Sequence, residues 1–387
     1  MQHLRIQCHF PELLFCWLAA MGLTVYLILF LRAEDQNAIL GCLVGGLGLL
    51  LILRTCGLLR GLFALIRRHE QLWTRLMFCM ALTLILIFRE DHYALFLLGT
   101  IMTYSVAVLG LNVQLGYTGV INFSAASFFG VGGYTAALLM ADAGAPSLLA
   151  LPLGGLASAL VGCVLLLPVL RTSGHYAALV TMAFALLFKV FLEVCPWFGG
   201  PQGIPVEALS IGGVSFAEDM NFSGLDFSFY VKYDLFSLLL LCLVFSFVSR
   251  LERSWQGLAL DAVRGDEIAS ACFGVNIARW KITAFTAGNF LAGVAGAFYA
   301  MMLAYISPAN FTFADSLLFL SILLLGGIGN NWGVLVATAF VVVLPEKFQV
   351  IQEYRYLIYS SVVLLMIIFR PAGLLPRRVR NYTGGKA

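Results

Sequence analysis

Long apolar runs recur along the whole of this chain, near residues 13–31, 38–53, 76–88, 93–111, 124–141, 147–170, 176–195, 234–250, 282–303, 315–328, 332–350 and 356–370. The longer ones match what an α-helix needs to cross a bilayer, about 20 residues at 1.5 Å of rise each. No water reaches peptide groups inside hydrocarbon, so such runs must satisfy their own backbone, and helices do that within one segment. Composition agrees: of 387 residues, 61% are hydrophobic and only 11% charged, more apolar surface than a soluble core needs. The fold expected is all-α, a polytopic transmembrane helical bundle of about 10–12 spans. The count is a range because the runs at 76–88 and 315–328 are short. The run at 13–31 is long for a signal-peptide core and no small-residue cleavage pattern follows it, so it reads as a retained first span.

Loop charge sets the expected orientation. Segment 54–75 carries Arg54, Arg60, Arg67, Arg68 and Arg75, and the tail carries Arg370, Arg377, Arg378, Arg380 and Lys386 with no acid. A polar island at 250–281 adds Arg250, Arg253, Arg264, Arg279 and Lys281. Loop 196–233 has only Lys232 against Glu207, Glu218, Asp219 and Asp226. The positive-inside rule puts the three basic regions in the cytoplasm and that loop outside. An even number of spans with both termini cytoplasmic satisfies all four assignments.

The island holds more than a connection requires. Asp266 suits a helix N-cap, Glu267 the first turn, Ile268 to Phe273 a short body, and Gly274 the left-handed position past its end. A helix of roughly two turns is marginal in water, so one retained here is expected to dock against something. Two glycine-rich stretches break the apolar pattern, GLNVQLGYTGVINFSAASFFGVGGY at 110–134 and LLLGGIGNNWG at 323–333. Such interruptions predict discontinuous or closely packed helices, and in transporters they often mark the path. The polar residues there, Asn112, Gln114, Asn122, Ser124, Ser127, Asn289, Asn330 and Asn331, are candidates for the path or for bonds between helices. Lys189 and Glu193 lie four apart on one face of a span, where charge is costly; they are path candidates that either pair facing the interior or line the path near its outer end, unless Lys189 instead reaches the membrane surface.

Several function classes are excluded. No G-x-x-x-x-G-K-[ST] occurs: the only Gly-Lys is Gly385-Lys386, followed by Ala387, so the chain lacks a phosphate-cradling loop. No H-E-x-x-H or comparable metal pattern is present, and nine scattered cysteines form no C-x-x-C. A formal charge of +3 gives no sign of nucleic-acid binding. The chain reads as a conduit with no catalytic residues, no metal and no cofactor of its own.

The motif GYTGVINFSAASFFGVGGYTAA resembles the permease subunits of ABC importers for branched-chain amino acids. So do FGGPQGI (198–204), DEIASACFGVN (266–276), ISPANFTFADS (306–316) and LLLGGIGNNWG, in the family's order. The resemblance divides the chain into extra amino-terminal spans at 1–90, as in the longer, LivM-type member of the permease pair, a permease core at 91–375 and a basic tail at 376–387. The importer coupling pattern, E-A-A then Gly after three residues, is similar to Ile268-Ala269-Ser270 before Gly274, with the acid one place earlier as Glu267. The resemblance implies that this helix seats on an ATP-hydrolysing subunit. Arg264 and Glu267 would be polar anchors, Asp266 and Gly274 the caps, Ile268 part of the body, and Ala269 with Phe273 a packed face. It also implies a second permease subunit, two ATP-binding subunits that hold the ATP, a periplasmic binding protein and an inner-membrane location. A urea or short-chain amide importer shares these motifs, and a stand-alone secondary transporter is the rival from another class.

Overall fold

A computed structural model describes residues 10–33, 70–171, 175–212, 214–222 and 225–347, with scattered positions at 39–55 and 354–377. The helices run in the order α1 (Phe10–Arg32), α2 (Glu70–Ile87), α3 (His92–Leu111), α4 (Ala125–Ala143), α5 (Ser147–Arg171) and α6 (His175–Val194). They continue as α7 (Tyr230–Arg253), α8 (Trp255–Gly265), α9 (Glu267–Cys272), α10 (Ile277–Leu303), α11 (Phe313–Gly326) and α12 (Asn331–Lys347). Among the described residues six segments are long and apolar enough to cross a membrane: His92–Tyr117, Ser147–Pro168, Tyr176–Val194, Tyr230–Arg253, Ile277–Leu303 and Pro308–Gly326. Trp17–Arg32 and Leu72–Ile87 are shorter apolar helices. The chain is an all-α, multi-pass membrane protein. Most of the runs 38–53 and 356–370, of segment 54–75 and of the tail 376–387 lies outside the described residues.

Helix ends depart from the apolar runs where capping chemistry intervenes. α10 starts at Ile277, ahead of the run at 282, because the Asn276 side chain accepts from the Arg279 N–H at 3.0 Å. α11 stops at Gly326 because Gly327 takes φ +108°, a region that favours glycine. At its other end Thr312 and Asp315 form a reciprocal capping box.

α10 is the axis of the bundle, packed against α3, α4 and α5. Its small residues let neighbouring backbones touch: a side chain at Gly132 of α4 would collide with the Gly293 backbone, and one at Gly296 with the Phe129 backbone. Tyr104, Phe129, Tyr299 and Phe319 close the middle of the bundle, with the Tyr104 and Phe319 rings 5.0 Å apart. Leu31, Leu84, Ile85 and Phe88 belong to this same core, so α1 and α2 pack onto the main unit. Lys347 strengthens that join by donating to the Leu31 carbonyl at 2.6 Å, at the C-terminus of α1.

The two ends of the bundle differ. At one, loop 196–229 folds into short strands: β1 (Ile204–Pro205), β2 (Ser210–Ile211), β3 (Val214–Ser215), β4 (Met220–Phe222) and β5 (Leu225–Phe227). β2 pairs with β3 and β4 with β5, and β1 pairs antiparallel with β6 (Tyr305–Ile306), tying the loop to the end of α10. Lys232 donates to the Ser215 and Glu218 carbonyls, and Asp219 accepts from the Phe229 N–H, so part of the loop's charge is used to fold the loop itself. At the opposite end lie the island, both glycine-rich breaks and Arg377.

Candidate functional site

The island contains two helices. Ser254, in extended backbone, accepts from the Gly257 N–H at 3.3 Å and starts α8, which buries Gly257, Leu260 and Val263; the sequence reading had assigned no helix there. Asp266 is extended as well, and one carboxylate oxygen accepts from the N–H groups of Ile268 (2.9 Å) and Ala269 (3.0 Å). Those bonds satisfy two of the orphan donors that open α9, a contribution of about 1 kcal/mol. Gly274 turns the chain at φ +80°, and the Val275 N–H returns to the Ser270 carbonyl at 3.0 Å. With only six residues, α9 depends on these caps and on Lys281, whose ammonium meets Glu267 at 2.7 Å. Ser270 faces inward. Ile268 is 80% exposed, Phe273 88%, and Ala269 is exposed beside them. Ala269 and Phe273, the face expected to pack at a joint with a partner, are exposed among the described residues, and Glu267 is held by the chain's own Lys281.

Arg264 points the other way. Its stem is exposed, but its guanidinium Nη1 donates to the carbonyl of Gly116 inside the first glycine-rich break. Arg377 Nη1 donates to the same oxygen at 3.3 Å, its Nη2 pairs with Asp261 of α8, and its guanidinium lies 5.0 Å from the Tyr117 ring centroid. Burial, and then the neighbouring Arg377 charge, lower the Arg264 pKa, with Asp261 opposing. The anchor expected to face a partner thus joins the island to the membrane helices, because the Gly116 carbonyl is the acceptor within its reach.

The break itself begins as a π-helical continuation of α3, Asn112–Tyr117, and ends where Ser124 opens α4. Wide π turns free backbone groups and redirect side chains, and here they aim amides at two clusters. In the first, Asn112 donates to Asn331 at 2.9 Å and accepts from the Gly329 N–H at 2.8 Å, while Tyr117 donates to the same Asn331 oxygen at 3.0 Å. Glu252, at the end of α7, accepts from Tyr117 and Asn331, both at 3.4 Å. In the second, Gln114 donates to Asn289 at 2.7 Å and to the Phe285 carbonyl at 3.2 Å, and Asn122 donates to Gln114 at 2.8 Å. The Asn122 oxygen accepts from the Ser124 N–H and hydroxyl, at 2.9 and 2.7 Å. Thr181 of α6 accepts the N–H of Phe123 in the break, and Ser316 of α11 accepts the N–H of Ala126 in the first turn of α4.

The structure therefore gathers Asn122 and Ser124 with Gln114 and Asn289, and Asn331 with Asn112. Asn330 caps α12, accepting from the Trp332 N–H at 3.0 Å, and reaches the Leu375 carbonyl at 3.1 Å. Ser127 is buried with no hydrogen-bond partner among the described residues. Lys189 and Glu193 lie 3.5 Å apart, 40% and 38% exposed, on the open side of α6, away from both clusters. Sequence reasoning assigns no site role to Tyr117, Glu252 or Asp261 and takes Arg377 only as one cation of the basic tail. The acids Glu252 and Asp261 inside a basic island were the available signal. It also passed over Asp234 of α7, fully buried against Gly99 with neither oxygen hydrogen-bonded among the described residues, and outside both clusters.

Residues 93–369 match the family of branched-chain amino acid transport system permease components. The chain is 38% identical over 292 residues to the high-affinity branched-chain amino acid transport system permease protein LivM of Salmonella typhimurium, covering 71% of this chain and 68% of that protein. It is 37% identical over the same length to LivM of Escherichia coli, with the same coverage. It is also 25% identical over 327 residues to a probable branched-chain amino acid permease LivM of Methanocaldococcus jannaschii, covering 71% of this chain and 91% of that one. No solved structure matches the chain.

Proposed function

This chain belongs to the branched-chain amino acid transport system permease family, which its residues 93–369 match, and from that premise we propose that it forms half of the membrane pathway of an ATP-driven importer for leucine, isoleucine and valine. It works beside a second permease subunit, on two ATP-binding subunits, and receives cargo from a periplasmic binding protein. It sits in the inner membrane with both termini in the cytoplasm. ATP belongs to the partner subunits, and this chain carries out no catalysis of its own.

The observation that carries the reading is the island. A doubly capped, six-residue helix presents Ile268 and Phe273 to solvent at the basic end of the bundle, outside the spanning helices. Each side chain yields about 1.5–3 kcal/mol when buried, enough together to seat the helix in an apolar groove. Glu267 with Lys281 and Asp266 with the α9 backbone hold that surface rigid before a partner arrives. Behind it, α8 carries Asp261 and Arg264 to the first glycine-rich break. Closure of an ATPase pair beneath α9 would therefore be felt at Gly116 and, through Asn112 and Tyr117, at Asn331.

Gentle purification from the native host tests the assembly: an ATP-binding subunit and a second permease should accompany the chain. Uptake by the reconstituted complex should require ATP, and labelled leucine should be displaced by isoleucine and valine. Displacement by urea or short amides in their place would reassign the cargo. Ion-driven flux through the chain alone would overturn the reading.

A further inference from the structure

We propose that Gly373, Leu374 and Leu375 form a strap across the cytoplasmic mouth, and that Arg377, two residues further on, is a positioning residue binding the coupling helices to both glycine-rich breaks during transport. This rests on the reading that α9 seats on an ATP-hydrolysing partner. The last carbonyls of a helix have no partner within it. At the end of α11, two of these orphans are taken by the strap: the Leu374 N–H donates to the Leu325 carbonyl at 2.8 Å and the Leu375 N–H to the Gly326 carbonyl at 3.1 Å. Asn330 adds a bond to the Leu375 carbonyl, and Gly373, at φ +79°, lies so close to Gly327 that a side chain there would collide with it. The strap is thus bonded to the second break along its backbone.

From that footing Arg377 reaches three elements at once. It pairs with Asp261 on α8, donates to Gly116 and covers the Tyr117 ring in the first break, and runs over Gly329, where a side chain would strike its stem. The Arg377 and Asp261 side chains are only 19% and 20% exposed, so the pair is shielded, and a guanidinium can serve both oxygens because its donors fork. Without Arg377, α8 would hold the breaks through Arg264 to one carbonyl, and the second glycine-rich stretch would keep Glu252 of α7 on Asn331 but lose its contact with α8. The region matched to the family ends at residue 369, before the strap begins.

The test uses the whole complex in lipid vesicles, with ATP hydrolysis and leucine uptake measured on the same preparation. A wild-type complex without ATP-driven uptake overturns the reading of function, and the strap's role falls with it. Where wild type is coupled, Arg377→Gln is expected to lower uptake per ATP hydrolysed by about tenfold, the equivalent of roughly 1.4 kcal/mol, while hydrolysis stays near wild type. Asp261→Asn should do the same, and the double variant should be no worse than either, since both break one link. An unchanged ratio overturns the proposal, and so does a parallel fall of hydrolysis and uptake, the mark of a merely structural residue. If Arg377→Gln does not assemble, Arg377→Lys is read by the same ratio. It keeps the charge beside Asp261 but cannot fork to Gly116, so the ratio should fall, and an unchanged one overturns the proposal equally.

Discussion

The first glycine-rich break, residues 112–124, winds through a π-helical stretch and collects partners from α6, α8, α10 and α12, whereas the second, residues 327–330, turns on two glycines at φ +108° and +87° and is capped by Asn330. They meet where Asn112 accepts from the Gly329 N–H and donates to Asn331. One break is therefore a crowded junction in which Asn112, Gln114 and Asn122 each donate and accept and the Gly116 carbonyl is offered to arginines. The other is a sharp corner set by its glycines and the Asn330 cap, with Asn112 and the Arg377 stem against Gly329. The difference separates two roles. In the proposed mechanism the junction would receive displacement from the island through Arg264 and Arg377, and the corner would let α11 and α12 change their angle in response. Buried polar groups at such a junction are high-stakes, because each lost partner leaves another unsatisfied in low dielectric.

That contrast is broken most severely by filling the junction. Gly116→Val would push a side chain into the Asn112 carboxamide and the Gly329 backbone, striking both breaks together. The expected cost is about 3 kcal/mol, at the upper end of overpacking penalties, read as a lowered thermal midpoint of the purified protein and loss of uptake. Stability equal to wild type would mean that the junction is loose. Asn331→Leu is milder and sharpens the comparison from the side of the corner. It removes the acceptor shared by Asn112 and Tyr117 and a donor to Glu252, at about 2 kcal/mol for buried groups left unpaired. Helix α12 should still form, since Asn330 supplies its cap. A stability loss confined to a few tenths of a kcal/mol would show that the two breaks are not joined through Asn331.

Much of this was legible in the sequence where the physics is local. Continuous apolar runs gave the helices and their approximate places, because a bilayer leaves the backbone no alternative. Asp266 and Gly274 could be assigned as cap and turn from neighbouring residues alone, and both stand in those positions. The glycine-rich stretches were visible as breaks, though not that one begins with a π turn. The remainder depends on contacts between distant residues. Nothing local indicates that Arg377 reaches Gly116, 261 residues away, or that Tyr117 shares Asn331 and Glu252. Arg377 was visible only as one charge of a basic tail. Lys189 and Glu193 show the same boundary, since spacing put them on one helix face but could not say which way it looked. It looks out from the bundle.

Ala269→Asp tests the island's link to transport most directly. Ala269 is exposed in this chain, so a charge there leaves its own fold intact, yet it would lie unpaired in any apolar seat that receives Ile268 and Phe273. In the reconstituted complex the variant should insert and remain folded like wild type, while ATP-driven uptake of leucine falls at least tenfold, a loss of about 1.4 kcal/mol or more in coupling. Uptake at the wild-type rate would contradict the assignment of α9 as the element through which ATP hydrolysis moves the pathway.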